Sequence, residues 1–166
     1  MGENNLKKKE GLEKIKEITG HTKTCMMLTN LNKIPLSANP MTTAEVDDEG
    51  NLWFFISKDH TNYKEISGDN RIQLVYANEG KNEYLSVYGI GILLVDKEKI
   101  DQLWSPYLEA WYDGKNDPNI SLLKIWIEDA YYWDSKSNKL VTLLKMASAA
   151  LSGDKKELTE KGKISL

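Results

Sequence analysis

Three observations predict an α+β chain built on an antiparallel six-stranded β-barrel with flanking helices. Short β-prone runs separated by turn residues fill the middle of the sequence, helical periodicity is confined to the flanks and brief connections, and glycines interrupt one strand where a sheet must bend. Closure into a barrel removes the exposed strand edges that an open sheet would leave.

The first element is an amphipathic helix over residues 4–19, with Leu12, Ile15 and Ile18 at helical spacing and Gly20 as its stop. Three strands follow as a meander, TKTCMMLTN, IPLSANPMTTAEV and NLWFFIS, joined by Asn30-Leu31-Asn32 and by Asp48-Glu49-Gly50-Asn51. Tyr63, Ile66 and Gly68 mark a short helix within residues 60–70. A hairpin across Glu79-Gly80-Lys81-Asn82 joins RIQLVYAN to EYLSVYGIGILLVD, where Gly89 and Gly91 predict a bend or a close backbone approach.

Asp96 is placed to cap a helix running to Leu103 and Trp104, and Ser105-Pro106 puts proline at the start of the next turn. After a loop over residues 112–119, SLLKIWIEDAYYWDS closes the sheet with a kink near Glu128-Asp129. Leu140, Leu143, Leu144 and Ala147 share the face of a last helix. The expected organisation is one domain over residues 1–152 and a polar, mobile tail over 153–166.

A chain of 166 residues can bury a core without disulfides or a structural metal. No apolar run approaches the roughly 20 residues needed to cross a bilayer, and no apolar segment follows the basic N-terminus, so no membrane partner and a cytoplasmic location are expected. The net charge of −3 argues against nucleic acid as a partner, because Lys7-Lys8-Lys9 is offset by Glu3, Glu10, Glu13 and Glu17. Cys25 stands alone and reads as a small buried hydrophobe.

Hydrolytic and metal motifs are absent around His21 and His60, the two histidines, so no catalytic residue and no metal ligand is assigned. The acidic run Asp47, Asp48, Glu49 leads into Gly50-Asn51 and reads as a solvated hairpin turn. The aromatics Trp53, Phe54, Phe55, Tyr84, Tyr131, Tyr132 and Trp133 read, by themselves, as a packed core.

Seven elements nevertheless occur in a telling order: Pro40-Met41, Gly50-Asn51-Leu52-Trp53-Phe54-Phe55, Ser86-Val87-Tyr88-Gly89, Leu103-Trp104, Trp111-Tyr112, Asp117-Pro118 and Tyr132-Trp133-Asp134. In this the chain resembles the FMN-binding split-barrel family related to pyridoxamine 5′-phosphate oxidase, most closely its general stress protein 26 branch, from about Ile18 to Leu151. The resemblance implies a homodimer with FMN at each subunit interface. A flat ring needs an apolar slot with a few placed polar groups, and a dimer seam supplies one.

Carried over by position, Asn39, Pro40, Met41 and Thr42 with Phe54, Phe55, Ile56 and Ser57 would line the flavin ring. His60, Thr61 and Asn62, at the start of the short helix, would receive the phosphate, a duty suited to free N–H groups. Tyr84 falls where relatives place a polar side chain near the flavin, and Trp133 where a tryptophan reaches it from the partner subunit.

Two departures weaken the phosphate end. Asn39 stands where the family usually has arginine and Asn62 where it usually has lysine, and at roughly 1.5–3 kcal/mol per charge-assisted contact the loss weakens FMN by about a hundredfold or more. Lys58, His60 and Thr61 are the groups able to compensate in part. Oxidation of pyridoxamine phosphate is not expected, because Lys139 and Val141 occupy the positions of that enzyme's Arg-x-His pair.

The sequence therefore leaves three readings. They are an FMN-dependent oxidoreductase of unknown substrate with transient NAD(P)H, a non-catalytic flavin-binding stress protein, and a dimeric barrel that has lost FMN. No Gly-x-Gly-x-x-Gly dinucleotide fingerprint is present.

Overall fold

The computed structural model describes residues 3–135 and 159–166. Its elements are β1 (Leu6–Lys7), α1 (Lys8–His21), β2 (Thr24–Thr29), β3 (Ser37–Val46), β4 (Leu52–Ser57), α2 (Thr61–Gly68), β5 (Arg71–Asn78), β6 (Glu83–Leu94), α3 (Lys97–Leu103), a 3-10 turn (Pro106–Ala110), β7 (Ile120–Ser135) and β8 (Thr159–Ser165). Six of the strands close in the order β7-β4-β3-β2-β5-β6, with β6 returning to β7, and every pairing in that ring is antiparallel. The expected six-stranded barrel is thus present.

Closure depends on bending. β6 and β7 lose register between Tyr88 and Gly89, where Tyr88 faces Asp129 and Gly89 faces Ile127, so Glu128 is the extra residue of a bulge. A Cβ on Gly89 would lie 2.3 Å from the Trp126 carbonyl oxygen, which is why glycine stands at this crossing. The kink read at Glu128-Asp129 and the close approach read at Gly89 are one feature.

Strand alternation fills the barrel from inside with Met27, Phe54, Leu74, Tyr76, Val87 and Tyr132, all fully buried. Tyr76 reaches across to Thr43, hydroxyl to hydroxyl at 2.7 Å, so its polar end is satisfied within the core. Ile15 and Ile18 of α1 pack into the same core beside Ile164 of β8.

A second cluster sits outside the barrel, where Trp53, Phe55, Ile120 and Leu122 are covered by Ile100, Leu103, Trp104, Leu108 and Tyr112. The Asp96 carboxylate accepts from Lys99 N at 3.0 Å and starts the covering helix, and Pro106 opens the 3-10 turn as the sequence predicts. β4 is therefore buried on both faces, which explains its unbroken apolar run.

Three expectations need correction or bounding. α1 begins at Lys8, because Leu6–Lys7 form β1, and it runs through Gly20 to His21 instead of stopping at Gly20: one glycine weakens a helix without ending it, and Thr22 N–H still donates to the Ile18 carbonyl at 2.9 Å. The tail read over 153–166 is in part a strand: β8 pairs antiparallel with Ala130–Ser135 of β7 and parallel with β1. The helix read around Leu140–Ala147 lies outside the described residues. Among the described residues no helix is long and apolar enough to cross a membrane.

Candidate functional site

β3 and β4 run together only over Thr43↔Phe54, Glu45↔Trp53 and Val46↔Leu52, with a register shift between Thr43 and Glu45. Beyond Thr43 the ladder opens: residues 37–42 of β3 continue to pair with β2, and residues 55–57 of β4 with β7, but not with each other. The barrel is split at this seam. The strip Asn39–Thr42 and the strip Phe55–Ser57 face the gap with main chain.

The apolar side chains of the second strip are not available as walls. Phe54 and Ile56 lie in the barrel core, and Phe55 packs against Trp104 and Tyr112 at ring-centroid distances of 6.1 and 6.3 Å. Sequence cannot tell a residue that offers its backbone from one that offers its ring. Here the backbone is what remains on offer.

Directly after β4 comes α2, whose first turn has no side-chain cap. Its unpaired N–H groups make that end attractive to an anion. Asn62 is fully buried there; its Oδ1 meets His60 Nδ1 at 2.7 Å, while its Nδ2 is a buried donor without a partner among the described residues. A polar atom left this way costs about 1–3 kcal/mol, so an acceptor from outside would be stabilising.

Positive charge is scarce at this end. Lys58 Nζ donates to the Pro118 carbonyl at 2.8 Å and so turns toward that loop, and Glu65 accepts from Thr29 Oγ1 at 2.5 Å, adding a carboxylate to the same helix. Of the three compensating groups read in the sequence, only His60 and Thr61 stand at the helix start.

Tyr84 and Trp133 are direct neighbours across β6 and β7, and Trp133 stacks at a tilt on Tyr131 with centroids 4.6 Å apart. Tyr84 lies three strands from β3 around the ring, and Trp133 lies eleven residues past Leu122, the β7 partner of Phe55, roughly 36 Å along the strand. One chain does not bring the two halves of the expected site together.

What surrounds Tyr84 and Trp133 was not legible as a site. Across the outer face, Pro40, Met26, Val75, Ser86 and Tyr131 form one row over β3, β2, β5, β6 and β7, and Ala77, Tyr84 and Trp133 form a second. Met26 is 42% exposed, Val75 41%, and Tyr84 and Trp133 37% each. The alternation that sends Met27 and Leu74 inward sends these outward, whereas the aromatics among them read, by residue type alone, as core.

The pyridoxamine 5′-phosphate oxidase like family model matches residues 10–157. General stress protein 26 of Bacillus subtilis (strain 168) is 36% identical over 76 residues, which span 44% of this chain and 54% of that protein, about half its length. The crystal structure of a general stress FMN/FAD binding protein from Xanthomonas citri is 30% identical, covering 78% of this chain and 92% of its own, with a TM-score of 0.66. A structure described as general stress protein 26 from Jannaschia sp. CCS1 has a TM-score of 0.80 at 22% identity, covering 93% of this chain and 97% of the other, a likeness of fold.

Proposed function

Since this chain belongs to the pyridoxamine 5′-phosphate oxidase like family, we propose that it is a flavin-binding protein that holds FMN between two copies of itself. The observation that carries the reading is the split between β3 and β4, which frees the main chain of Asn39–Thr42 and Phe55–Ser57 beside the uncapped start of α2. The relative from Xanthomonas citri, described as an FMN/FAD binding protein, supports the same reading.

In this reading, Asn39, Pro40, Met41 and Thr42 with Phe54, Phe55, Ile56 and Ser57 border the ring, chiefly through backbone groups. The phosphate meets His60, Thr61 and Asn62, where the orphaned Nδ2 of Asn62 gains an acceptor. Tyr84 and Trp133 come from the second copy, whose approach covers the exposed rows on the outer face. Bound flavin supplies exchange of electrons with a nicotinamide or another donor; the protein's part is to bind and orient it and to exclude water.

A second reading has its own observation. With asparagines at positions 39 and 62 and Lys58 turned toward Pro118, the phosphate end lacks the two cations the family usually places there, which favours weak occupancy or a barrel that has lost FMN. Purified full-length protein separates the two by its visible absorption spectrum, the mass of released ligand, and melting with and without added FMN. A flavin spectrum, or a melting temperature that rises with FMN, is expected; colourless protein whose melting ignores FMN overturns the flavin reading.

A further inference from the structure

Away from the split, the end of α1 meets the start of β6. Glu17 and His21 are one turn apart and share a helix face. Glu83 opens β6 and is 5% exposed, and its carboxylate oxygens lie 2.9 and 3.2 Å from His21 Nδ1. The three groups can place one ligand atom each within 4.8 Å of one another.

Two features point beyond a buried ion pair. An ionised carboxylate offers roughly four acceptor sites, yet among the described residues the nearly buried Glu83 meets a single ring nitrogen. The surroundings are also rich in carboxylate: Lys14 Nζ lies 2.8 Å from Glu17 and 2.7 Å from Asp134, so two carboxylates share one cation.

We propose that Glu17, His21 and Glu83 form a site for one divalent transition-metal ion, zinc being the best fit, which pins the end of α1 to the start of β6. One imidazole and two carboxylates suit tetrahedral zinc with water in the fourth position. The ion takes the place of the shared proton: with zinc bonds of about 2.0–2.2 Å, a tetrahedral site needs nitrogen and oxygen roughly 3.3 Å apart, a small opening of the existing contact. Glu17, half-exposed, exchanges Lys14 for the metal, and Lys14 keeps Asp134.

Competing sites are few, since the chain has two histidines and its one cysteine is buried. The test is calorimetric titration of chelator-treated, tag-free, full-length protein with zinc chloride. One saturable site is expected, lost in His21→Ala and weakened about tenfold or more in Glu17→Gln, a surface change that leaves the fold alone. A wild-type protein with no saturable uptake, uptake unchanged in both variants, or uptake lost in His60→Ala instead, overturns the proposal.

Discussion

The barrel has two apolar outer faces, and the chain treats them differently. Over β4 and the first half of β7, Trp53, Phe55 and Leu122 are covered by α3 and the 3-10 turn, with the Trp53 indole N–H donating to Asp47 at 2.8 Å and the Lys99 ammonium 4.9 Å from the ring. Over β2, β5 and β6, Met26, Val75 and Tyr84 have no such roof. In the proposed dimer this is the surface that the second copy covers. The covered face is where folding energy sits, and the bare face is where binding energy would be found.

The sharpest way to break this comparison is to truncate one tryptophan on each face. Trp53→Ala is expected to cost about 3–5 kcal/mol in urea unfolding, because a buried aromatic leaves a cavity. Trp133→Ala should change the stability of the single chain by about 1 kcal/mol or less while reducing flavin retention. Equal losses would mean that the two faces are not distinct.

A smaller effect is expected where the covered face is tied to its turn. Asp47 accepts from Glu49 N at 3.0 Å, Asn51 N at 2.8 Å and Trp53 Nε1, while Gly50 takes φ 89° to close the hairpin. Burial pushes the Asp47 carboxyl upward, but the hydrogen bonds from Trp53 and Asn51 overcome it and hold the group below its usual range. A depressed folded value stabilises the native state above the unfolded carboxylate range near pH 4, and that contribution is lost as pH falls below it. Asp47→Ala should cost about 1–3 kcal/mol at neutral pH by leaving donors unpaired, and should flatten the acid limb of stability measured by urea unfolding from pH 6 downward. An acid limb unchanged in the variant would assign that limb to other carboxylates.

These contrasts also explain what was legible in the sequence. The six barrel strands were readable because turn residues such as Gly50 and the Glu128-Asp129 kink punctuate runs of β-formers. β8 was not, because in TEKGKIS the buried apolar side chain is Ile164 alone, and a strand held mostly by main-chain pairing leaves little trace in residue type. The split was reached through the positions of the Pro40-Met41 and Trp53-Phe54-Phe55 elements, and the burial of the Phe54 and Ile56 side chains in the core follows from strand alternation within a closed barrel. His21 and Glu83, 62 residues apart, carry no local signal that they meet.

The bare face predicts the smallest effect on the chain itself and the clearest effect on association. Val75 lies between Met26 and Ser86 in the outward row, and its neighbours along the strand, Leu74 and Tyr76, point into the core, so a charge at position 75 disturbs no interior packing. In Val75→Lys the melting temperature at limiting dilution should stay near that of the parent, a change within roughly 0.5 kcal/mol. At higher concentration the parent's melting temperature should rise with protein while the variant's stays flat, because association stabilises only the copy that can associate. A parent whose melting is independent of concentration would leave the bare face without a second copy to cover it. A variant that melts early even when dilute would show instead that the outward row supports the single barrel.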